Sequence, residues 1–281
     1  MDRIALGVRP EGQISIRLRR PGEDSWLGFA NIVTDNGWVT MIQKINEADG
    51  AMTPKFLRFG LSDEEPSRSD TSLFMPVGPI RGHTSITYGG LVNAGQLTAY
   101  STAFIRFDFA PGELSGHRLS ELGLSYNADG TSLYNRALIK DENQIPVPLV
   151  CLPDQAVTVY VRLRLYLNGW GTPVNIGGVT GTVAMNSGGA QSTTANMWVR
   201  GLPLFDATMG GITSIRERFY PPSVQQYFVL GPAGSWSASE ILFRGRGGQS
   251  FMSININPWL TKPVDHMLQW RVQLTINRAD D

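Results

Sequence analysis

Residues 157–167 alternate without a break. Val157, Val159, Val161, Leu163, Leu165 and Leu167 fall on one side, and Thr158, Tyr160, Arg162, Arg164 and Tyr166 on the other. A period of two is that of a β-strand with one buried face, and it is incompatible with the 3.6-residue period of a helix. Such a strand cannot stand alone. Its apolar face needs neighbouring strands and a second layer to cover it. The same alternation recurs in 13–19 (Ile14, Ile16, Leu18), in 103–109 (Ala103, Ile105, Phe107, Phe109) and in 268–276 (Leu268, Trp270, Val272, Leu274, Ile276). We therefore expect Val161, Leu163, Leu165, Trp270, Val272 and Leu274 in the core. The outer faces of these strands are polar but weakly charged, which suits sheets that meet neighbours as well as water.

Turn chemistry between these runs supports an all-β chain. Among 281 residues, 31 are Gly and 17 are Pro, and frequent turns imply many short strands. A helix is expected at 34–48. Thr34 can cap it, Asp35 suits the positive end of its first turn, and Trp38, Met41, Ile42 and Ile45 form one apolar stripe before Asp49-Gly50 stops it. Residues 56–60 read as a strand, 62–72 as a charged surface turn with a short helical piece near Ser69-Asp70, and 76–100 as loops and short strands. The densest turn cluster, Asn168-Gly169-Trp170-Gly171-Thr172-Pro173, directly follows the longest strand. It divides the chain into a β domain over 1–170 that contains the helix and a second β-sandwich over 171–281.

The two parts share landmarks. Phe109 precedes a Pro-Gly loop, Ser120-Glu121, an apolar strand, Gly130 and Ser132-Leu133. Phe228 precedes a Gly-Pro loop, Ser239-Glu240, an apolar strand, Gly248 and Ser250-Phe251. Asp154 and Asp265 then lead into the final strands of each set. Either the chain is an internal duplication of a β-sandwich, or two β-meanders resemble each other by coincidence.

Composition and motif content weigh against catalysis and against nucleic acid. Lys+Arg and Asp+Glu are both 24, so no net field attracts a polyanion or an anionic membrane. The one basic cluster, Arg17, Arg19 and Arg20, is followed at once by Glu23-Asp24. His83, His117 and His266 show no metal-ligand spacing. Phosphate-loop and nucleophile-elbow signatures are missing, and Gly245-Arg246-Gly247-Gly248 and Ser187-Gly188-Gly189 read as turns. Asp63, Glu64 and Glu65 read as a solvated turn, and Glu121 and Glu240 as acids that tie down loop backbone rather than as a glycosidase pair. The lone Cys151 rules out an internal disulfide and any Cys-based zinc site, and it reads as a free thiol without function. The opening Met1-Asp2-Arg3-Ile4 lacks a secretion pattern, and no apolar run reaches ~18 residues. A soluble, non-enzymatic protein without cofactor or metal is expected, made in a cytoplasm. Trp26, Trp170 and Trp236 fall in turn-rich segments. They are either loop anchors or contacts for a protein partner or glycan.

Three sequence blocks resemble a group of tailed-bacteriophage minor virion proteins. They are Asn31-Ile32-Val33-Thr34-Asp35-Asn36-Gly37; Phe56-Leu57-Arg58-Phe59-Gly60 with Ser69-Asp70-Thr71-Ser72-Leu73; and Ser120-Glu121-Leu122-Gly123-Leu124 with Ser132-Leu133-Tyr134-Asn135-Arg136-Ala137-Leu138-Ile139-Lys140-Asp141. In the last block Tyr134-Asn135 stands where the group has Phe-Ser. The resemblance spans most of the chain and is weakest over 174–235. It implies a virion component, located in a tail fibre, baseplate or collar, that contacts other tail, collar or head proteins. A host-surface glycan binder or a capsid decoration protein is the alternative. Charged residues are only 17% of the chain, against roughly 25% in ordinary domains. That deficit suggests surfaces covered by partners, and a symmetric homo-oligomer, a trimer above all, is expected.

Overall fold

The computed structural model describes residues 2–44, 52–92, 100–168, 173–176, 179–185, 198, 206–220, 223–244 and 250–279. It is an all-β protein. In chain order the strands begin with β1 (Asp2–Arg20), β2 (Glu23–Ala30), β3 (Ile32–Val33), β4 (Phe56–Gly60), β5 (Pro76–Gly82) and β6 (Ser85–Val92). Next come β7 (Tyr100–Phe109), β8 (Arg118–Leu119), β9 (Glu121–Ser125), β10 (Leu133–Leu138), β11 (Leu149–Val150) and β12 (Ala156–Asn168). The second part contains β13 (Pro173–Ile176), β14 (Val179–Met185), β15 (Asp206–Met209), β16 (Ile212–Thr213), β17 (Ile215–Tyr220), β18 (Ser223–Leu230), β19 (Trp236–Arg244), β20 (Ser250–Lys262) and β21 (Leu268–Arg278). The helix α1 (Asp35–Gln43) lies between β3 and β4. No described helix is long and apolar enough to cross a membrane.

The helix forms for the reasons its sequence gives. The Thr34 hydroxyl accepts the Gly37 N–H at 2.9 Å, and Trp38, Met41 and Ile42 are buried. Gly37 is required by closeness: a Cβ there would lie 2.2 Å from the Tyr134 carbonyl oxygen. Ile45 and the expected helix end near 48 lie outside the described residues. Ser69-Asp70 is a correction. The segment 62–72 contains only a turn at Arg68-Ser69, with no helical piece, and Asp70 is drawn out of solvent by a charge partner described below.

The main sheet runs β17-β18-β21-β1-β12-β7-β6, with β2 attached to β1. β1 sits at its centre, parallel to β21 through residues 2–8 and antiparallel to β12 through residues 7–19. Its even-numbered residues Ile4, Val8, Ile14, Ile16 and Leu18 all face inward. Only the 13–19 portion was legible, because Gly7, Pro10 and Gly12 interrupt the alternation. Pro10, which has no N–H to donate, falls between the end of the β21 pairing at Val8 and the start of the β2 pairing at Gln13. Two larger sheets, β3-β10-β9-β4-β5 and β13-β14-β20-β19-β15-β16, form the other layer, and β8 pairs with β11 in a short two-stranded sheet. The buried apolar residues form one continuous core on both sides of residue 170.

The two halves have the same strand order. In the first, β6-β7-β12 lie in the main sheet and β3-β10-β9-β4-β5 in the other layer. In the second, β17-β18-β21 lie in the main sheet and β14-β20-β19-β15-β16 in the other layer. The corresponding pairs are antiparallel throughout: β7 with β12 and β18 with β21, β4 with β9 and β15 with β19, β10 with β3 and β14 with β20. Pairing slips by two residues against the sequence landmarks, since Phe109 faces Val157 while Leu230, not Phe228, faces Leu268. A slip of two keeps the inward face inward. The strand order thus matches the duplication that the landmarks suggested.

Two contacts stitch the halves together. Trp198 is fully buried, donates its ring N–H to the Ser101 carbonyl at 3.2 Å and lies edge-on to Tyr134. Arg278 at the end of β21 reaches Asp35 at 2.8 Å and the Val33 carbonyl at 2.7 Å.

Val161, Leu163, Leu165, Val272 and Leu274 are all buried. Trp270 is only partly so; it stacks on Phe228 at 5.4 Å near the margin of the core. Leu163→Ala should therefore destabilise the protein by about 2–5 kcal/mol, read as a lower urea midpoint with an unchanged m-value. A shift below 1 kcal/mol would mean the inner face is not packed as described.

Candidate functional site

The residue blocks that carry the resemblance converge on one buried guanidinium. Arg136 on β10 is fully buried. Its Nε donates to Glu121 at 2.6 Å, Nη1 to Asp70 at 2.9 Å and Nη2 to the Glu64 carbonyl at 2.7 Å, while the Phe74 ring covers it at 4.2 Å. Burial opposes its charge, but the bonds to Glu121 and Asp70 outweigh that and hold it more firmly protonated than free arginine. Glu121 also accepts the Met75 N–H at 3.2 Å, and Asp70 accepts the Ser67 N–H at 2.9 Å. A Cβ at Gly60 would lie 2.3 Å from the Glu121 carboxylate. Glu121 thus ties down loop backbone as its position suggested. Glu240, its counterpart in the landmark pattern, is exposed. The Thr34 hydroxyl completes the knot by donating to the Leu133 carbonyl at 2.6 Å. Asn135 occupies a bulge where β9 and β10 slip register, and its side chain accepts the Leu124 N–H in place of a strand partner.

The tryptophans chosen from sequence do not come together. Trp170 lies outside the described residues. Trp236 opens β19, half buried, with its ring N–H donated to the Gly210 carbonyl at 2.9 Å, so it anchors the β15–β16 turn. Trp26 is 53% exposed and lies on β2, in regular strand rather than the turn-rich setting expected. Trp259, also well exposed, was missed; it stands where β19 and β20 slip register, beside Gly210 and Glu240.

Around Trp26 the outer face of the main sheet carries an ordered array. The register aligns Trp26, Arg17, Thr158 and Asp108 in one row. Gly28, Ser15, Tyr160, Arg106 and Ser85 form the next, and Gln13, Arg162, Phe104 and Thr87 the third. Because Gly28 and Ser15 are small, Trp26 lies across β1 and stacks on Tyr160 at 5.6 Å with the rings 24° apart. Arg17 covers Trp26 at 5.1 Å, and Arg106 lies 6.0 Å from the Tyr160 ring centre. Beside this stack is a groove of about 490 Å³, within the range of small-ligand sites. Phe104 is 46% exposed along it.

The charges here are unevenly matched. Arg17 pairs with Asp24, which raises the guanidinium and holds the carboxyl below its usual range. Arg106 pairs with Asp108 at 3.0 Å. Burial raises Asp108, but bonds from Arg106, Thr158 and Thr84 prevail and its pKa is lowered. Among the described residues no carboxylate pairs with Arg162; its partner is the Gln13 side-chain oxygen. The individual residues were legible in the sequence as polar outer faces, but their assembly was not, because it depends on the register of five strands.

A larger cleft of about 630 Å³ is lined by Asp63, His117, Arg118 and Ser120 among others. Among the described residues no hydrogen bond joins His117 to Asp63 or Ser120. Among the described residues, no group of three or more His, Cys, Asp or Glu side chains is placed to hold a metal ion.

Removing one member of the buried knot should leave an uncompensated charge. Asp70→Asn or Arg136→Met should each cost about 3–5 kcal/mol, seen as a lower unfolding midpoint; near-neutral effects from both would show that the knot is dispensable. Cys151 is buried, and burial alone pushes its thiol up to about 11. An aromatic disulfide reagent at pH 8 should leave it unmodified in the native protein and label it in urea; rapid native labelling would contradict the burial. Comparison of the chain with protein-family models, with curated proteins and with solved structures returns no match.

Proposed function

We propose that the protein is a structural component of a tailed-bacteriophage particle, a tail-fibre, baseplate or collar subunit that acts by protein–protein contact and not by catalysis. The observation that carries this reading is the buried knot. Asp70, Glu121 and Arg136, three of the charged residues in the blocks that resemble minor virion proteins, are spent on holding loops and strands together. What those blocks encode is a rigid sandwich. Ile215, Trp259, Val264 and Met267 are each more than half exposed, and together with the low charge they suit surfaces covered by neighbours. We further propose a symmetric homo-oligomer, a trimer, as the simplest way to cover repeated surfaces.

Mass spectrometry of purified particles should find the protein at a fixed stoichiometry, and light scattering of the isolated protein should give the trimer mass. Low copy number supports a fibre, baseplate or collar; one copy or more per capsomer would instead make it a capsid decoration protein. Absence from the particle, or turnover of any substrate that a single Glu or His substitution abolishes, would defeat the proposal. A monomer at all concentrations would defeat the oligomer alone.

A further inference from the structure

We infer that the groove on the outer face of the main sheet binds an acidic saccharide, with one carboxylate per recognised sugar unit. The site does not depend on where, or whether, the protein sits in a particle.

Three chemistries meet there. The part of the Trp26 ring left exposed by its stack on Tyr160 and the exposed Phe104 ring offer aromatic surface, against which the C–H face of a sugar ring packs. Ser15, Ser85 and Thr87 lie on the same face and give hydroxyls that can donate and accept. Arg162 offers a guanidinium fork for a carboxylate. Its present partner is a neutral amide, which a carboxylate displaces with a gain in charge pairing.

The charge balance selects the ligand class. Arg17 and Arg106 are already neutralised by Asp24 and Asp108, so the groove presents the single positive charge of Arg162. That matches one carboxylate on an otherwise neutral, hydroxyl-rich ring. It does not match single-stranded nucleic acid, which brings a phosphate with every nucleotide and whose binding depends on many unpaired cations releasing counterions. A neutral saccharide would leave Arg162 unused. The groove volume, about 490 Å³, suits a short oligosaccharide. The platform is also rigid. It stands on the paired strands β2, β1, β12, β7 and β6, whose inward residues Ile14, Ile16, Val161, Ile105 and Phe107 are all buried.

The test is titration calorimetry of the full chain with oligogalacturonate and with α2,8-linked oligosialic acid, each compared with a dextran oligomer and with oligothymidylate. At least one acidic saccharide should bind saturably, and more weakly as salt is added. Arg162→Gln and Trp26→Ala should each weaken it about ten-fold or more, which corresponds to about 1.4 kcal/mol or more. Both positions are at the surface, and circular dichroism should show an unchanged fold. Trp259→Ala, in the other half of the chain, should bind as the unmodified protein does. The inference fails if neither acidic saccharide binds, if the dextran oligomer binds equally well, if oligothymidylate binds more tightly, or if Arg162→Gln has no effect.

Discussion

Arg136 is the point on which the first half of the structure is hung. A guanidinium removed from water is tolerated only with its donors satisfied and its charge matched. Here the partners come from two separate stretches: Asp70 and the carbonyls of 64–65 from the long connection before β5, and Glu121 from the start of β9. None of these could move without stranding a buried charge. The connection between β4 and β5, which contains no regular structure, is thereby fixed to the sandwich as firmly as a strand. Thr34 adds the helix to the same assembly, since its backbone N–H, hydroxyl and carbonyl together join β10 to the first turn of α1.

The second constraint is β1. Each half ends in a strand, β12 or β21, whose flank would be open if β1 did not lie between them. An open flank of alternating apolar residues is a template for misassociation. By pairing antiparallel with β12 and parallel with β21, one strand closes both. The two halves therefore share a sheet and a core, and Trp198 and Arg278 reinforce the join. Cooperative unfolding of both halves together is the physical expectation from such sharing.

The fold was legible where one strong period dominated. The 157–167 strand, the 103–109 strand and the 268–276 strand declared their buried faces, and the Thr34 cap with the Trp38-Met41-Ile42 stripe declared the helix. What sequence could not show was anything created by register or by long-range charge. Asp70 read as one acid among several in a polar turn, because its partner lies far along the chain. Trp26 read as a loop residue, because the Pro21-Gly22 turn lies just before it and only Leu27 and Phe29 mark an inward face on its short strand. The aromatic and guanidinium array followed from neither composition nor motif. It exists because five strands bring Trp26, Tyr160, Arg162 and Phe104 into adjoining rows.

The matching strand order also bears on why that array occurs once among the described residues. The inward faces of the two halves are held to apolar residues by the shared core, so Val161, Leu163 and Leu165 find counterparts in Val272, Leu274 and Ile276. The outer faces carry no such restraint. In the second half the corresponding rows hold Gln225 with Gln273, Tyr227 with Arg271, and Val229 with Gln269. Arg271 covers Tyr227 at 5.0 Å but is already paired with Glu217. Among the described residues the second half has no counterpart to β2 beside the central strand, and none of them supplies a ring in the position of Trp26. Among the described side chains of these rows, the Arg271 guanidinium is neutralised by Glu217 and no second ring completes a stack. Two halves built on one strand order thus differ in chemistry because the core restrains one face of a sheet and leaves the other free to change.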